Sequence, residues 1–73
     1  MHIIMVLNNK LEIGGKSFAA GESFTVLTAD TDEYTMSPRL SDGTPDLDTV
    51  VSISIARMIH LTKNDFVSFK KSE

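Results

Sequence analysis

The chain has 73 residues, 41% hydrophobic and 23% charged, which describes one small globular domain and excludes both an intrinsically disordered segment and a two-lobed enzyme. It has no cysteine, so disulfides and thiolate metal clusters are excluded, and association with a further chain is the expected external support. A net charge of −3 counts against a general nucleic-acid binder, whose footprint is a basic face.

Residues 2–7 are apolar and β-branched without alternation, which predicts a strand buried on both faces or covered by another subunit. The run is too short to span a bilayer, which needs ~20 residues. It lacks the basic start and small-residue cleavage site of a signal peptide, so cytoplasmic residence is expected. Asn8-Asn9 ends the run. Two short alternating runs, 10–13 and 16–18, flank Gly14-Gly15, the pattern of a tight hairpin whose turn needs positive φ. Gly21 marks a second turn, and residues 23–28 form the next strand, placing Leu11, Ile13, Phe18, Phe24 and Val26 on one inner face.

The stretch from Gly14-Gly15-Lys16-Ser17-Phe18 through Gly21-Glu22 into an alternating strand resembles hairpins of SH3-like small β-barrels. The resemblance covers residues 11–28 and implies a fold only. Such barrels host unrelated functions, so no site is carried over.

An acidic turn at 29–32 leads to a strand over 33–36, which Ser37-Pro38 should break or place at a sheet edge. Residues 41–46 are dense in turn formers and acids and predict an exposed loop. The next segment carries two patterns. As a helix over 45–60, Thr44 caps, Pro45 takes the first turn, and Leu47, Val50, Val51, Ile55, Met58 and Ile59 make one stripe. As a strand over 49–60, Val51, Ile53, Ile55, Ile59 and Leu61 share a face and the β-branched density is explained. The strand is preferred, because the earlier strands need partners. Thr62 with Asp65, and Leu61 with Phe66, predict the start of a short C-terminal helix over 63–71; a final strand over 66–69 is the alternative. The fold expected is therefore mainly β, an SH3-like or partly open barrel of about five strands with a short C-terminal helix.

Chemistry is thinly represented. His2 and His60 are the only histidines, and no Gly-x-Ser-x-Gly elbow exists, so neither a hydrolase triad nor paired acid–base histidines are expected. Asp42, Asp46 and Asp48 lack the spacing of an EF-hand, and no metal or cofactor is expected. Gly14-Gly15-Lys16-Ser17 lacks the upstream glycine of a phosphate-binding loop. All four phenylalanines fall on expected core positions, leaving Tyr34 as one aromatic beside Asp32 and Glu33, where phosphates are repelled.

Charge is segregated along the chain. Residues 1–29 balance. Residues 30–48 carry Asp30, Asp32, Glu33, Asp42, Asp46 and Asp48 against Arg39 alone, and residues 49–73 carry Arg57, Lys63, Lys70 and Lys71 against Asp65 and Glu73. An acidic middle and a basic end can steer a partner or pair copies head to tail. The expectation is a non-enzymatic protein that binds another protein, with homo-oligomerisation, in the manner of a small phage or bacterial accessory or inhibitor protein. The candidate binding residues are Tyr34, Met36, Arg39, Asp42, Asp46 and Asp48. The alternative is a small-molecule or nucleotide binder with a pocket between subunits.

Overall fold

In the computed structural model, residues 2–72 are described, and the alternating runs become strands joined mostly by tight turns. In order they are β1 (His2–Leu7), β2 (Leu11–Ile13), β3 (Lys16–Phe18), β4 (Ser23–Ala29), β5 (Glu33–Pro38), β6 (Val51–Ser54), helix α1 (Ile55–Lys63) and β7 (Val67–Ser72). Five strands make one antiparallel sheet in the order β6-β5-β4-β1-β7, and β2-β3 form a separate hairpin. The fold is mainly β, as expected, but the sheet stays open between β6 and β7 and is not closed into a barrel.

The hairpin turn is the one its glycines predict. Gly14 and Gly15 hold φ of 60° and 80°, and Leu11, Glu12 and Ile13 pair with Phe18, Ser17 and Lys16. Leu11, Ile13 and Phe18 face the sheet and join one core with Met5, Leu7, Phe24, Met36, Val51, Ile53, Met58, Leu61 and Val67. The core therefore lies between one face of the sheet and a second layer made of the hairpin and α1. Phe18 meets Phe24 edge-on, with centroids 5.0 Å apart and planes at 77°.

Residues 49–60 follow neither single pattern. The chain is a strand to Ser54 and a helix from Ile55, because the period of two in Val51 and Ile53 gives way to the helical spacing of Ile55, Met58 and Leu61. Ser54 makes the switch: its backbone is extended (φ −62°, ψ 151°), and its side chain accepts from the Arg57 N–H. The Arg57 guanidinium donates to the Glu12 carbonyl at 2.7 Å, fastening the first helical turn to β2.

The helix over 63–71 is corrected. Its proposed start is the end of α1. Asp65 adopts φ 64°, its N–H reaches the Thr62 carbonyl at 3.1 Å, and the Phe66 N–H reaches the Leu61 carbonyl at 2.9 Å. These are the two bonds of a Schellman stop. After it the chain is strand β7, which pairs along all of β1 from His2↔Ser72 to Leu7↔Val67.

The opposite face of the sheet carries the row Lys70, Ile4, Thr25 and Ser37, and loop 39–50 folds back toward it. β1 is thus an interior strand with both faces partly covered, the reason for its continuous apolar run. Pro38 ends β5 beyond the last β6 partner, Met36↔Val51, so its missing N–H breaks no ladder there. Ser37 is fully buried, and its hydroxyl has no hydrogen-bond partner among the described residues. Ser37→Ala is expected to stabilise the fold by about 1 kcal/mol by removing that desolvated group. The rise in Tm should be about 4–8 °C in a domain of this size. A fall in Tm on calorimetry would show that the hydroxyl has a partner.

Candidate functional site

The second layer does not cover the whole core face. Between α1 and the sheet, on the side away from the hairpin, lies an open groove of about 420 Å³ lined by Tyr34, Ile55, Met58, Ile59, Thr62, Lys63 and Phe69. Its floor comes from strands that are not neighbours. Tyr34 is on β5 and Phe69 on β7, yet their ring centroids lie 6.3 Å apart, tilted by 51°. Met58 and Leu61 point α1 into the core, which leaves Ile55 half-buried and Ile59 62% exposed along the groove wall. Phe69 is also exposed.

The polar content is small and one-signed. Thr62 turns its hydroxyl back to the Met58 carbonyl at 2.8 Å, so it offers its methyl side to the groove. Lys63 is the one charged residue in the lining, and no carboxylate belongs to it. The lining is therefore mostly apolar with one cation.

The six residues singled out in the sequence do not come together. Tyr34 reaches the groove. Met36 is corrected: it lies between Val26 and Val51 across the sheet, is fully buried in the core, and presents no surface. Arg39 is half-buried and spends its fork on its own loop, donating from Nε and Nη2 to the Gly43 carbonyl at 3.2 and 3.0 Å. Asp42, Asp46 and Asp48 sit in loop 39–50, whose residues Arg39 and Gly43 to Pro45 face the side of the sheet opposite Tyr34, and none of the three lines the groove.

The loop is built by its own acids. Asp42 Oδ1 accepts from the Thr44 hydroxyl at 2.6 Å and the Thr44 N–H at 3.0 Å. Those bonds, the hydroxyl first, hold the Asp42 carboxyl below its ordinary pKa of 3.8. Asp46 Oδ1 accepts from the Asp48 N–H at 3.1 Å, and the Asp46 carbonyl accepts from the Thr49 N–H, which puts Leu47 and Asp48 at the centre of a turn. Asp30 does the same in the β4–β5 turn, where the N–H groups of Glu33 and Asp32 lower its pKa.

A smaller hollow of about 280 Å³ separates the loop from the sheet, between His2, Ile4, Thr25 and Leu27 on one side and Arg39, Gly43, Thr44 and Pro45 on the other. His60 lies on α1, on the other side of the sheet from His2, so the two histidines are not brought together. Among the described residues no three His, Asp or Glu side chains are grouped to hold a metal ion, and no helix is long and apolar enough to cross a membrane.

Sequence reasoning missed Ile55, Ile59 and Phe69 as groove residues, having assigned the first two to a strand face and the third to a helix interior. The available signal was Ile59 following Met58, since a helix that buries Met58 and Leu61 leaves Ile59 outside. No protein family, curated protein or solved structure matches the chain.

Proposed function

We propose that the chain is a non-enzymatic protein-binding module, and that it takes an apolar side chain of a partner protein into the groove between α1 and the sheet. The observation that supports this is the exposed wall of Ile59 beside Tyr34 and Phe69, an apolar patch centred on an aromatic pair and rimmed by a cation. Covering one such side chain is worth about 1.5–3 kcal/mol, which offsets the ordering of only about one or two residues, so a partner must add contacts around that anchor. A small accessory or inhibitor protein working in the cytoplasm, by occupying a partner's surface, fits this mode.

Selection of random displayed peptides on the immobilised protein tests the reading. The expected winners carry an apolar anchor flanked by acids and shift amide resonances of Tyr34, α1 and Phe69. Ile59→Glu should weaken them at least about tenfold without lowering Tm, since the position is exposed. Winners indifferent to Ile59→Glu would sink the groove as the docking site. A metabolite that raises Tm by several degrees while no peptide is selected would favour a small-molecule pocket instead.

A further inference from the structure

Taking the groove as a protein-docking site, we infer that its occupant is the acidic loop of a second copy of this chain, with Leu47 seated against Ile59 and Phe69 and its flanking carboxylates facing Lys63. The two surfaces match in shape class and in sign. Loop 39–50 exposes Leu40, Leu47 and Val50, and Leu47, at 65% exposure, stands directly between Asp46 and Asp48. The groove is apolar along its walls, and its one charged lining residue is a lysine. Exposed leucines in an acidic loop and an apolar groove lined by one lysine and no acid each carry what the other lacks.

The loop is also prepared for display. The turn bond from Thr49 to Asp46, the Asp42–Thr44 bonds and the Arg39 fork on Gly43 fix it before any partner arrives, so little ordering cost attends docking. Within one molecule no residue of loop 39–50 lines the groove, and Gly43 to Pro45 lie over the other face of the sheet, so each copy can donate its loop to one neighbour and accept a loop from another. The association is heterologous and runs head to tail, ending as a ring if the rotation closes and as an open chain if it does not.

Sedimentation velocity on the full chain, from about 10 μM to about 1 mM, tests this. The wild type is expected to grow past dimer as concentration rises and to fall back in about 0.5 M salt, where surface charges are screened. Leu47→Glu and Ile59→Glu, both at exposed positions, should each stay monomeric with unchanged circular dichroism. Mixed in equal amounts they should form a one-to-one complex that grows no further, because one contributes an intact groove and the other an intact loop. A wild type that is monomeric throughout, or a Leu47→Glu variant that still assembles, overturns self-docking. If selected peptides still bind the groove of that monomer, the protein-docking reading stands without it; if they do not, both fall.

Discussion

Phe24→Ala is expected to remove about 3–5 kcal/mol of folding stability, the usual cost of emptying a buried phenylalanine site. The position is fully buried and lies on an interior strand, opposite Met5 on one side and Pro38 on the other. Its ring also takes the edge-on contact from Phe18, through which the β2-β3 hairpin is held to the sheet. Truncation therefore opens a cavity and loosens one of the two elements that cover the core. A domain of this length has a total stability of roughly 4–11 kcal/mol at roughly 0.05–0.15 kcal/mol per residue. The loss is roughly a quarter or more of that total, and the urea midpoint should fall in the same proportion. Phe66→Ala, at an exposed ring in the turn before β7, is the control and should move the midpoint far less. Equal losses at the two positions would mean that burial of the Phe24 ring is not what sets the cost.

Leu61→Ala should cost about 2–4 kcal/mol, and its consequence is local as well as global. A nine-residue helix is too short to persist alone, so α1 exists because Met58 and Leu61 anchor it. Removing one anchor is expected to speed hydrogen exchange across residues 55–63 well before the amides of β1, β4 and β5 follow. The groove loses one wall at the same time. Tyr34 is the single tyrosine, and there is no tryptophan, so ultraviolet fluorescence of the whole protein reports on the groove floor. A change in that emission in the folded variant, parallel to faster exchange in α1, is the expected result. Uniform exchange across helix and sheet would show instead that α1 and the sheet open as one unit.

What the sequence made legible follows the range of the interactions involved. The hairpin was readable because Gly14-Gly15 and the flanking alternation act over eight residues, and the strands near 2–7, 23–29 and 33–38 because each is a short β-branched or aromatic run bounded by turn formers. The strand–helix junction at Ser54 was harder. Ser54 is an extended residue that ends β6 and caps α1 at once, so a window centred there averages two periods. The end of α1 was taken for a start because Thr62-x-x-Asp65 and the Leu61–Phe66 pair occupy the positions that either kind of helix terminus uses. Lys70 and Lys71 suited a helix end equally, but here they lie on an edge strand, where lysines discourage unwanted pairing.

The groove was beyond local pattern altogether. Tyr34 and Phe69 meet although two strands separate theirs in the sheet, and nothing near either residue announces the other. Met36 misled for the opposite reason. Pro38, two positions on, suggested a frayed edge, whereas β6 arrives fifteen residues later to pair with Met36 and close it over.

The pairing of β1 with β7 bears on how the protein is made. β1 is synthesised before the other strands described, yet its partner along one side is supplied by residues 67–72 and reaches it only after α1 has crossed the sheet from the β6 edge. Until then the nascent chain carries Ile3, Ile4 and Met5 in a strand with one open flank. Contacts of such long sequence separation form slowly, because loop closure is lost before any pairing repays it. The interval between synthesis of the first strand and arrival of the seventh is therefore when this chain is most exposed to misassembly with its neighbours on the same message, and when a chaperone would find it.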